Sequence, residues 1–137
     1  MNLFESRDLQ VGHELPPLLL PAVNRTTLAL YAGASGDHNQ VHIDLDFARK
    51  ARQPDVFAHG MLSLAYLGRL LTGWVPQQQI RSLAVRFTGI TQLGHIPACH
   101  GRVIELFEVD DRLAGPSAEE AARYLSRHGV PSTIERV

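Results

Sequence analysis

The sequence predicts an α+β domain in which a curved antiparallel sheet wraps one long central helix. Three observations predict it. Between Gly60 and Thr72, the side chains of Met61, Leu62, Leu64, Ala65, Leu67, Leu70 and Leu71 cover most of a helical wheel. Arg69 is the one charge there, and a helix apolar nearly all round is expected to be buried nearly all round. In the run Ile80–Ile90, Leu83, Val85 and Phe87 alternate with Ala84, Arg86 and Thr88, the period-two pattern of a strand with one covered face. A second strand-like run, Ala98–Val109, follows a turn that holds Gly94 and Pro97.

The remaining elements follow in chain order. Pro16, Pro17 and Pro21, set around Leu15 and Leu18–Leu20, suit an extended stretch, because proline lacks the amide a helix interior uses. Asn24 or Thr26 offers a side-chain acceptor to the first free amides of a helix reaching about Ala34. Ser35-Gly36-Asp37-His38-Asn39 breaks it with turn-forming residues. A second short helix begins near Asp44 and leads through Asp46, Phe47 and Ala48 to Lys50. Gly73 is expected to end the long helix. In the tail, Ser117-Ala118-Glu119-Glu120 has the form of a capping box, and Ala121, Ala122, Tyr124 and Leu125 continue a helix. Gly129 and Pro131 stop it, leaving Ser132–Val137 as one short strand. The expected division is a main domain over 1–110 and an atypical C-terminal tail over 111–137.

Bulk properties narrow the function classes. With 137 residues, 45% hydrophobic and 20% charged, the chain has the make-up of one globular domain with a real core. Its 13 basic and 14 acidic residues give a net charge of −1 and no basic run, so no nucleic-acid partner is expected. Cys99 is the only cysteine, which removes intrachain disulfides and multi-thiolate metal sites. No stretch reaches the roughly 18 consecutive apolar residues of a membrane span. Glu5, Arg7 and Asp8 interrupt the first twelve residues, so a secretory leader is not expected and a cytoplasmic protein is.

Chemistry-bearing residues concentrate in Ser35-Gly36-Asp37-His38-Asn39-Gln40-Val41-His42. A loop held between helices is a common setting for active-site groups. Asp37 and His42 are close enough in sequence for a curled loop to aim both at one volume, where a carboxylate and an imidazole can hold a water and move its proton. Asn39 can orient that loop through its amide. The same residues also make a good surface turn. A metal site built on His38, His42 and Asp44 matches no established zinc spacing, and no metal is expected. The second cluster is Ala58-His59-Gly60-Met61, at the start of the long helix. Free amides and the positive helix end would suit a developing oxyanion there, and glycine lets a ligand approach closely. Alternatively, Gly60 relieves crowding where the chain turns into the helix.

In the order Tyr31-Ala32-Gly33-Ala34-Ser35-Gly36-Asp37-His38-Asn39-Gln40-Val41-His42, then Phe47-Ala48, then Ala58-His59-Gly60-Met61, these segments resemble the MaoC-like, (R)-specific enoyl-CoA hydratases. The resemblance extends through Gly73-Trp74-Val75 and Leu83-Ala84-Val85-Arg86-Phe87-Thr88, covers about residues 10–106, and is nearest to small (3R)-hydroxyacyl-thioester dehydratase subunits. It implies a hot-dog fold, usually dimeric, acting on an acyl thioester of coenzyme A or acyl carrier protein without a cofactor. It further implies Asp37 and His42 as the catalytic pair, with Asn39, His59, Gly60 and Met61 on the substrate side.

Two departures stand out. Gln40 occupies a position where the family usually has proline, and the tail offers a helix and one short strand where two more long strands are usual. Three functions compete: a hydratase or dehydratase, an acyl-CoA thioesterase, and a non-catalytic subunit of a heterodimeric dehydratase.

Overall fold

The computed structural model describes residues 10–106 and the strand Ile134–Arg136. In order come β1 (Leu18–Leu19), α1 (Arg25–Ser35), a 3₁₀ turn (Gln40–His42), α2 (Leu45–Lys50) and α3 (Gly60–Trp74). A second 3₁₀ turn (Gln77–Gln79), β2 (Arg86–Phe87), β3 (Ala98–Cys99) and β4 (Ile134–Arg136) follow. The expected helix over 117–125 lies outside the described residues, and β4 falls within the short strand expected at 132–137.

Asn24 starts α1: its side chain accepts the Thr27 amide at 2.9 Å. Gly36 ends it in the left-handed conformation at φ 72°, where its amide reaches Ala32 O at 3.0 Å. Glycine adopts that conformation without a Cβ penalty. Leu28 and Ala32, one turn apart, form the buried face of α1. Asp44 caps α2 in the same way, accepting the Phe47 amide at 2.8 Å.

The N-terminal segment and the 94–103 segment form an antiparallel ribbon. Leu18 pairs with Cys99 and Leu19 with Ala98. Bonds beyond this ladder continue the ribbon, from Gly12 N to Val103 O (2.7 Å), Leu15 N to Gly101 O (2.9 Å) and Val23 N to His95 O (2.9 Å). Pro16, Pro17, Pro21 and Pro97 remove donors along it, which is why regular pairing shrinks to two residues a side. The run Ile80–Ile90, expected as one long strand, is also regular only at Arg86–Phe87, paired antiparallel and irregularly with β4. Its alternation does not become alternating burial: Leu83 and Phe87 are exposed and Val85 is half-buried. Among the described residues the sheet is therefore two separate two-stranded ladders.

Helix α3 is shared by two apolar clusters. Its C-terminal half places Leu67, Leu70 and Leu71 against Leu15, Leu20, Cys99 and Val103 of the ribbon. Its N-terminal half places Leu62 with Val23, Leu28, Ala48, Val56 and Ala58. Complete burial of Leu28, Val23 or Val56 stabilises the fold by about 1.5–3 kcal/mol each. Two expectations for α3 need correction. The helix is not buried all round, since Met61, Ala65, Arg69 and Thr72 form an exposed stripe at helical spacing. Nor does Gly73 end it: the helix runs on to Trp74, and Val75 is extended (φ −127°, ψ 153°) because Pro76 follows it. No helix among the described residues is long and apolar enough to cross a membrane.

Candidate active site

The site forms where the loop after α1 meets the start of α3. Short side-chain bonds shape the loop. Ser35 Oγ donates to Tyr31 O at 2.7 Å and accepts the Asp37 amide at 3.2 Å. Asp37 Oδ1 accepts the Asn39 amide at 3.2 Å, and Asn39 Oδ1 accepts the Val41 amide at 3.2 Å. This chain of Asx-type turns leads into the 3₁₀ turn that carries His42. Across the site, Arg25 makes a two-pronged pair with Asp55 at 2.8 and 2.9 Å, joining the start of α1 to the segment that leads into α3. Both side chains are exposed, so solvent screening leaves the pair a minor contribution to stability.

An oxygen of Asp37 and ring nitrogens of His42 and His59 all lie within 4.8 Å of one another. A single water spans such a distance with two hydrogen bonds of about 2.8 Å. His42 Nδ1 is 2.8 Å from the carbonyl oxygen of Phe57. A carbonyl only accepts, so Nδ1 carries the proton and Nε2 keeps its lone pair. Burial, the largest influence, lowers the His42 pKa below its ordinary value. The Phe57 hydrogen bond and the Asp37 carboxylate act the other way, and His59 adds to the lowering. His42 is thereby held as a neutral imidazole, the form in which it can take a proton.

Of the residues singled out in the sequence, Asp37 and Asn39 are exposed on the loop and His42 is half-buried. Gly60 and Met61 are exposed at the first turn of α3. The N-cap residue of that helix, His59, makes no side-chain cap bond. The three atoms nearest to a methyl group on Gly60 would all belong to the Phe87 ring, at 3.6 to 3.7 Å, which is ordinary contact. Crowding among the described residues therefore does not require glycine there. His59, grouped with the substrate side by its sequence position, is 0% exposed. Its Nε2 donates to the backbone carbonyl of Asp37 at 3.1 Å, and its ring lies 3.9 Å from that of His42. The alternative ligand set of His38, His42 and Asp44 is not assembled, because Asp44 is the α2 cap and His59 takes the third place beside Asp37 and His42.

Sequence reasoning missed two contributors. The Phe57 carbonyl fixes the His42 tautomer, and a backbone acceptor leaves no signal in residue type. Tyr31 packs its ring 5.0 Å from His59. Burial, with the Asp37 charge second, raises its pKa, keeping the phenol protonated. The signal for Tyr31 was its place three residues after Leu28, on the buried side of α1.

Residues 12–96 match the MaoC like domain, and the chain belongs to that family. Its hot-dog fold is shared by solved structures. The ChsH1–ChsH2 complex from Mycobacterium tuberculosis aligns with a TM-score of 0.66 at 25% identity, over 72% of this chain and 78% of that one. The unliganded R-hydratase PhaJ1 from Pseudomonas aeruginosa aligns with a TM-score of 0.60 at 29% identity, over 73% and 64%. Among curated proteins, fatty acid synthase subunit beta of Saccharomyces cerevisiae is 28% identical over 111 residues, 73% of this chain. The chain spans only 5% of that relative's length, and 4% of the corresponding Aspergillus oryzae subunit.

Proposed function

We propose that this protein reversibly hydrates a trans-2-enoyl thioester to a (3R)-3-hydroxyacyl thioester, with coenzyme A or acyl carrier protein as the thiol component. One observation carries the proposal: an oxygen of Asp37 and a ring nitrogen of His42 lie within 4.8 Å of one another, beside a helix end whose N-cap residue makes no side-chain cap bond. In hydration, Asp37 and His42 hold a water whose oxygen bonds to the β-carbon of the substrate. The π electrons move toward the thioester oxygen, and the first amides of α3 at Gly60 and Met61 stabilise the charge that develops there. The proton taken from the water passes through the same pair to the α-carbon, so the sum is one water added. Dehydration retraces the path. Asn39 holds the loop, and Met61, 53% exposed beside Gly60, is the apolar side chain the proposal offers to the acyl chain.

The relatives support the class of reaction, since one is an R-hydratase and two are fatty acid synthase subunits. We further propose that the working unit is a dimer, of two copies or with a second hot-dog subunit. Leu19 and Ile96 are large apolar side chains left exposed on the ribbon, and one structural relative is a two-protein complex. The test is the ultraviolet absorbance of crotonyl-CoA and longer enoyl-CoAs with purified protein, with free thiol measured in parallel. Loss of the enoyl band without thiol release is expected. Thiol release would instead identify a thioesterase, and no change with any acyl chain would overturn catalysis by this chain alone.

A further inference from the structure

The sequence places His59 next to the helix end, yet the structure withdraws it from solvent altogether. It stands at the N-cap position of α3 and makes no side-chain cap bond. Its ring turns instead under the loop, where Nε2 donates to Asp37 O, and the His42 and Tyr31 rings pack against it at 3.9 and 5.0 Å. Its Nδ1 is buried without a hydrogen-bond partner among the described residues. A core position needing only bulk would be served better by an apolar ring, because a buried nitrogen without a partner is a cost. The Nε2 bond is the contact that a phenyl ring could not make.

We infer that His59 is a positioning residue, a buried strut that holds Asp37 through its backbone and His42 through ring contact, so that both face the same water. The inference rests on the reading of Asp37 and His42 as the catalytic pair. Two further consequences follow from the geometry. Because the ring is engaged below the loop, the first amides of α3 stay open to substrate. Because the acceptor is a main-chain carbonyl, the bond fixes the path of the loop and leaves the Asp37 carboxylate unengaged by the strut.

Three measurements test it. In the wild-type protein, ¹⁵N-resolved imidazole spectra should show the proton of His59 on Nε2, and the Nδ1 tautomer would overturn the inference. His59→Phe keeps an aromatic ring against His42 and Tyr31 but cannot donate. It should lower kcat by about 10–100-fold with KM changed less than about threefold, as expected for misaligned rather than missing groups. Exchange of the Asn39 and Val41 amides should quicken by about tenfold. His59→Gln, whose amide nitrogen can reach the same carbonyl, should recover most of both effects. Wild-type kcat and wild-type loop exchange in His59→Phe would overturn the inference. If the wild type turns over no enoyl thioester, the functional proposal fails, and the tautomer and the loop exchange still decide the role of His59 by themselves.

Discussion

Replacing Gly60 with alanine separates what the fold requires of this position from what catalysis requires. Among the described residues the atoms nearest to the new methyl are those of the Phe87 ring, at 3.6 to 3.7 Å, so none of them has to move. Gly60 is the first residue of α3, and alanine gains up to about 1 kcal/mol over glycine in a helix. Stability should therefore be unchanged or slightly raised, with Tm equal to or a few degrees above that of wild type. Activity should move the other way. On the proposed mechanism the methyl crowds the approach of the thioester oxygen to the helix-end amides, and a weakened contact to one such donor costs up to on the order of 10²-fold in kcat. The loss should fall mainly on kcat, because the charge develops only in the transition state. Thermal unfolding and enoyl-CoA kinetics on the same preparation decide the matter. Wild-type kcat in Gly60→Ala would refute the oxyanion role, and a large fall in Tm would show that glycine serves packing after all.

Two further outcomes are expected. Since burial lowers the pKa of His42, kcat/KM should hold down to pH values below the ordinary histidine range, near about 6.5, and fall only as His42 takes a proton. For stability, the unfolded chain protonates first. The penalty from His42 is thus absent above its unfolded pKa, grows as pH falls through it, and is complete below the folded value. Urea midpoints of wild type and His42→Gln between about pH 8 and pH 5 should diverge in that direction. Gln40→Pro should stabilise the protein by about 0.4–1 kcal/mol, because Asn39 already has the extended backbone (φ −58°, ψ 124°) that proline requires before it. A lower denaturation midpoint in Gln40→Pro would show that the loop depends on glutamine.

Local chemistry was legible in the sequence, and long-range geometry was not. Asn24 and Gly36 bounded α1 because a cap and a left-handed residue act within one turn of themselves. Gly73 misled because the stop comes from Pro76 acting back on Val75, while the glycine remains helical. Each strand-like run holds a short ladder, at Arg86–Phe87 and Ala98–Cys99, but the lengths were not legible; in the second run, prolines in the N-terminal partner and at 97 remove ladder donors. At the site, the closeness of Asp37 and His42 in sequence allowed the proximity that the structure shows. Its supports, the carbonyls of Phe57 and Asp37 and the ring of His59 beneath, come from chain segments whose meeting no residue type encodes.

The central claim is that Asp37 and His42 together move the proton of a bound water. Asp37→Asn tests it with little structural disturbance, because asparagine keeps an Oδ1 that can accept the Asn39 amide as Asp37 does at 3.2 Å, and the side chain is exposed. The account predicts an unchanged melting curve and a fall in enoyl-CoA hydration of about 10²–10⁴-fold. Hydration at the wild-type rate in Asp37→Asn would contradict it.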